Sequence, residues 1–154
     1  MIYKCRHFSL DELVCPHVLN KYGETAWSFM DDKLLMTIDL LRDQLGPIYG
    51  NNYSMTVEER KKLGIPLFDE RGFRCIQCDL VKKAIKDGIL YVSPHMTGQG
   101  FDGDVKGKTA AQVRLWIVAN EIKLPYPVRL EKAVTWLHID TRDAGQGKVF
   151  LFNN

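Results

Sequence analysis

The clearest hydrophobic repeat runs through Leu34, Ile38, Leu41 and Leu45, spaced to share one side of a helix over 31–45. Asp31 and Asp32 suit its first turn, where the helix dipole favours negative charge, and Gly46-Pro47 ends it. A second periodic face, Val113, Trp116, Ile117 and Asn120, predicts another core helix with Thr109 as its N-cap. Ser9 with Glu12, and Thr56 with Glu59, carry the reciprocal capping signature of two shorter helices. Cys15-Pro16-His17 cuts the first one short, and Gly64-Ile65-Pro66 stops the second, which is polar throughout. A further helix is expected over 78–86, with Leu80, Val81, Ala84 and Ile85 as its buried face.

Short apolar runs supply the strands. Ile48-Tyr49-Gly50 and Ile89-Leu90-Tyr91-Val92 each read as one. Val128–Glu131 and 134–141 read as a hairpin joined by Lys132-Ala133, a turn without the favoured glycine. Val149-Phe150-Leu151-Phe152 closes the chain. The sum is an α+β domain: a small, mainly antiparallel sheet with helices packed on one side.

Length refines this to one domain over 1–154, enough chain for its own core. The formal net charge of +2 is too small to point to a nucleic-acid partner. No apolar run at the N-terminus resembles a signal peptide, and none anywhere is long enough to span a bilayer. The chain is therefore expected to be cytoplasmic when made, with no membrane partner.

Chemistry concentrates in 93–105, where His95, Asp102 and Asp104 stand among Gly98, Gly100 and Gly103. One other stretch matches it, Trp136-Leu137-His138-Ile139-Asp140. Asp102 and Asp104 have strand spacing and share a face, as do His138 and Asp140, with Trp136 placed to wall a cleft. Two histidines and one carboxylate are a three-ligand set that leaves a catalytic zinc its open position. By spacing alone, His95 and Asp102 equally suit a turn histidine followed by an aspartate that caps the next segment. Arg71-Gly72-Phe73-Arg74 sets arginines beside a close-approach glycine, which suits carboxylate binding or an ordinary surface turn. Cys75-x-x-Cys78 has metal or redox spacing, but Cys5 and Cys15 are too far apart to form a second close pair. Reduced structural thiols are favoured over a four-cysteine zinc site. His7 and His17, each near a cysteine, are open to a metal reading but favoured as loop histidines.

Taken together, Ser93-x-His95-x-x-Gly98-x-Gly100-x-Asp102 and the later Trp136-x-His138-x-Asp140 resemble the zinc D-alanyl-D-alanine carboxypeptidase and murein endopeptidase family. That family includes phage endolysins and shares its fold with the hedgehog signalling domain. The likeness is nearest to small phage-type and Bacteroides-type members. Gly100 stands where the family usually has Ala, and Arg71-Gly72-Phe73-Arg74 is similar to its Ser-Gly-Tyr-Arg element. The resemblance implies a hedgehog-like fold and a zinc ion held by His95, Asp102 and His138. It implies hydrolysis of an amide bond in peptidoglycan stem peptides, with Arg74 binding a carboxylate of the peptide and Ser93 hydrogen-bonding near the metal or the substrate. A peptide of the cell wall is then the expected partner, reached after release or as part of a virion, by a monomer. A zinc-stabilised module that binds such a peptide without cutting it is the alternative.

The general base departs from the family pattern. Thr135 occupies a position where many members carry a carboxylate. Glu131 is favoured in its stead, with Asp140 as the other candidate. A two-residue turn sets Glu131 about 13 Å from His138 along the ladder, at about 3.3 Å per residue.

Overall fold

The two long amphipathic stretches fold as their spacing predicts. Helix α3 (Asp32–Leu45) is capped by Asp31, whose side chain accepts from the Lys33 N–H, and ends at Gly46. Helix α6 (Ala110–Ala119) opens with a complete capping box of Thr109 and Gln112. These elements come from a computed structural model, which describes every residue except Met1, Ala144, Gln146 and Asn154. Helix α1 (Leu10–Leu13) is a single turn with the Ser9/Glu12 box, and α4 (Val57–Leu63) carries the Thr56/Glu59 box and buries nothing. Pro16 does more than stop α1. Its fixed backbone angle starts a new helix, α2 (Pro16–Tyr22), which a short 3-10 segment, Gly23–Phe29, continues.

Among the described residues, five strands form one mixed sheet: β1 (Ile48–Tyr49), β2 (Gly100–Val105), β3 (Val128–Glu131), β4 (Leu137–Asp140) and β5 (Val149–Phe152). The spatial order is β1-β2-β4-β3-β5. All pairings are antiparallel except the last, β3 with β5, so the class is α+β as expected.

The sheet has one apolar face and one polar face, because side chains alternate along a strand. Phe101, Leu130, Leu137 and Ile139 are fully buried on the first, and Phe101 meets Phe8 edge-on with ring centroids 5.5 Å apart. Helices α3 and α6 pack against β2 and α6 against β4. On the opposite face, register pairs Asp102 with His138 and Gly100 with Asp140.

Three expectations need correction. The 89–92 run is no strand. Leu90 and Val92 are 87% and 74% exposed, since an apolar run becomes a strand only where a sheet edge accepts it. Helix α5 (Asp79–Lys86) buries only Val81 of its expected face, and Leu80 and Ile85 point outward. The β3–β4 connection spans 132–136 rather than two residues, which moves Glu131.

Candidate metal centre

The Ser93–Val105 stretch folds as a 3-10 turn over Pro94–Thr97 running into β2. Gly98 ends that turn at φ +70°, and a Cβ there would also strike the Phe29 carbonyl oxygen. His95 thus sits at the head of β2, and Asp102 sits on it. Strand β4 brings His138 directly opposite Asp102. All three side chains are buried, and one ligand atom from each lies within 4.8 Å of the others.

The hydrogen bonds fix which ring nitrogens face inward. His95 Nδ1 lies 2.8 Å from the Gly72 carbonyl oxygen, which only accepts, so Nδ1 carries the hydrogen. Its Nε2 lone pair is left facing Asp102 Oδ2 at 3.3 Å. His138 is held from both sides: Nε2 lies 3.3 Å from Asp140 Oδ2 and Nδ1 lies 2.7 Å from Asp102 Oδ1. A neutral imidazole has one N–H, so one of these contacts sets a lone pair against a carboxylate oxygen unless a cation stands between.

The titration behaviour expresses the same need. Burial disfavours the charged form of His138, but hydrogen bonds to Asp102 and Asp140 outweigh it and push the pKa up to about 9. Burial opposes the charge on Asp102 too, yet its bonds with His138 and His95 hold it well below the usual carboxylate range. Burial dominates at His95 and pulls its pKa down. The site therefore holds an anionic carboxylate, a neutral imidazole, and a second imidazole that attracts a positive charge. A divalent ion fits this donor set in place of that proton. The outward nitrogens are already held by Gly72 and Asp140, as metal-bound imidazoles require.

The cleft over these residues encloses about 510 Å³. Arg74, Ser93, Glu131 and Trp136, all singled out in the sequence, line it with the three candidate ligands. Arg74 is extensively engaged: it donates to Asp102 Oδ2 at 2.9 Å, to the Tyr91 hydroxyl at 2.7 Å and to the Glu70 carbonyl. Ser93 caps the 3-10 turn by accepting from the His95 N–H at 3.3 Å. Pairing of Leu130 with Ile139 puts Glu131 one step further along β3, level with His138 on the same face.

Asp140 lies elsewhere. It is fully buried behind His138, tied to Arg129 at 2.9 Å and to Arg142, and it does not line the cleft. Burial works against its charge, but bonds to His138, Arg129 and Arg142 keep it well below the ordinary range. Thr135 is exposed outside the cleft.

Tyr91, Arg142 and Phe152 line the cleft without having been singled out. Arg142 was within reach of sequence reasoning, since it follows His138 and Asp140 at strand spacing. Tyr91 was hidden by the strand reading of its segment. Comparison of the chain with protein-family models, with curated proteins and with solved structures found no match.

Proposed function

We propose that this chain is a zinc-dependent peptidase that hydrolyses an amide bond in peptidoglycan stem peptides, on a hedgehog/DD-peptidase-like scaffold. The observation that carries the reading is the His95–Asp102–His138 arrangement. Each imidazole turns one nitrogen toward a shared carboxylate and anchors the other on an oxygen. His95 Nε2, His138 Nδ1 and Asp102 are the atoms and the group that would hold the ion. Zinc bound there supplies a Lewis acid that activates water and polarises an amide carbonyl.

The remaining roles belong to the protein. Glu131 lines the cleft level with His138 and is the carboxylate suited to take a proton from the attacking water and return it to the departing amine. Asp140 is a positioning residue: it holds His138 Nε2 and so fixes the ring. The Arg142 backbone N–H donates to Asp140 at 3.1 Å, but its guanidinium makes only long contacts there, of 3.4 and 3.5 Å, and is available to a peptide carboxylate. Arg74 stands beside Asp102, where a carbonyl oxygen gaining charge would meet its guanidinium. Trp136 walls the cleft, and Ser93 steadies the turn bearing His95.

Carboxypeptidase and endopeptidase action both fit a cleft of this size. The test is incubation of the zinc-loaded protein with purified peptidoglycan and synthetic stem peptides. New amino termini that vanish on chelation and return with zinc are expected. Peptide binding without any new termini would establish the non-catalytic alternative.

A further inference from the structure

A second donor cluster lies outside the cleft. Cys15, His17, Cys75 and Cys78 each bring one ligand atom within 4.8 Å of the others. Residues about sixty apart in sequence are joined here by backbone pairing. Val14 forms a parallel bridge with Phe73, the Phe73 N–H donates to the Leu13 carbonyl at 2.8 Å, and the Cys15 N–H donates to the Phe73 carbonyl at 3.0 Å. Gly72 makes this approach possible, since a Cβ there would fall 1.8 Å from the Leu13 oxygen.

The local geometry is that of a thiolate knuckle. In Cys75-Ile76-Gln77-Cys78 the Gln77 N–H points at the Cys75 sulfur at 3.3 Å, and the Cys78 N–H closes the turn onto the Cys75 carbonyl at 3.0 Å. The Cys15 carbonyl accepts from the Val18 and Leu19 N–H groups at 3.1 and 3.2 Å, which fixes Cys15 at the head of α2. His17 completes the set, with Nδ1 3.9 Å from the Cys78 sulfur. Ligand atoms around a tetrahedral zinc lie about 3.5–3.8 Å apart, given its usual bond lengths. The separations here, all within 4.8 Å, therefore need to close by no more than about 1.3 Å.

We infer that Cys15, His17, Cys75 and Cys78 form a second, structural zinc site. Three sulfurs and one imidazole select a soft, tetrahedral ion, and four protein donors leave no position open for chemistry. Cys5 takes no part, its thiol lying against the Leu35 carbonyl. The site clamps the segment that serves the cleft: the Gly72 carbonyl holds His95, the Arg71 carbonyl accepts from the Asp102 N–H at 2.7 Å, and Arg74 pairs with Asp102. This inference stands on different residues from the peptidase reading and does not depend on it.

The test is metal content and cobalt spectroscopy on the full chain purified with reductant and zinc. Two zinc ions per chain are expected, one for each cluster. His95→Ala with His138→Ala should remove one and leave the other, and Cys75→Ser should do the reverse. After exchange into cobalt, the ion left in the double histidine variant should show an ultraviolet thiolate-to-cobalt charge-transfer band. Should Cys75→Ser fail to fold, that band decides the matter alone. Its absence, or a Cys15–Cys78 disulfide in the intact mass of reductant-purified protein, overturns the second site and leaves the cleft untouched. Thiolate-bound cobalt in a chain whose metal content ignores the histidine substitutions supports the second site and sinks the first.

Discussion

Glu131 stands level with His138 across the β3–β4 ladder, because Arg129 pairs with Asp140 and Leu130 with Ile139. Cross-strand neighbours on one face lie about 4.5–5.5 Å apart at Cβ, so the carboxylate is within reach of chemistry beside that ring. Glu131→Gln should therefore lower kcat by about 10²–10⁴-fold, the range for losing a general base. Zinc content should be unchanged. Thr135→Ala, outside the cleft, should leave both alone. Full activity in Glu131→Gln would remove it from the mechanism.

Asp140 acts through His138. Asp140→Asn keeps the shape but weakens the hold on Nε2, and about a 10–100-fold loss of zinc affinity is expected from such outer partners. Competition with a chelator of known affinity measures it. The same variant leaves Arg129 with a weakened partner. Its thermal stability should fall even in the metal-free protein, which Glu131→Gln should not do.

Arg74→Lys separates charge from geometry. A lysine keeps the positive charge but cannot reach the Glu70 carbonyl, Tyr91 and Asp102 together. Peptide hydrolysis should fall at least tenfold, with Arg74→Ala worse. Arg142→Ala should instead raise KM for substrates bearing a carboxylate more than for their amidated forms. Equal effects on both would argue against carboxylate recognition by Arg142.

Gly72→Ala tests the contact between the two segments. With its Cβ driven into the Leu13 carbonyl, the backbone must shift, at a cost of about 1–3 kcal/mol by analogy with overpacked cores. Urea unfolding should show that loss. Because the Gly72 carbonyl orients His95, zinc affinity should fall with it.

Much of this architecture was legible in the sequence, and where it failed the reason is physical. The helices read correctly where apolar period and helix-end signals agreed, as in α3 and α6. The strand spacing read for Asp102 and Asp104 agrees with their places on β2. The 89–92 run failed because composition does not say whether a sheet edge is free to pair. The hairpin failed because a turn lacking glycine gives no signal for its length, and an error there displaces every residue beyond it. Asp140 was read as a possible base because strand spacing gives a face but not the guanidinium groups that fill it. His17 and Cys15 were read as a loop histidine and a structural thiol, since their partners lie far along the chain. A Cys-x-His beside a Cys-x-x-Cys announces itself only once β-pairing joins Val14 to Phe73.

The arginines gathered in and behind the cleft have an electrostatic consequence. Arg74, Arg129 and Arg142 stand among Asp102, Asp140 and Glu131, so guanidinium and carboxylate charges around the two imidazoles cancel. Whatever potential the cleft presents is then set by its occupant. A divalent ion that replaces the proton His138 attracts adds one positive charge to the hollow, so attraction for an anionic chain end grows with the ion and fades with rising salt. Without the ion, the same opening offers such a ligand the Arg142 guanidinium and one charge fewer.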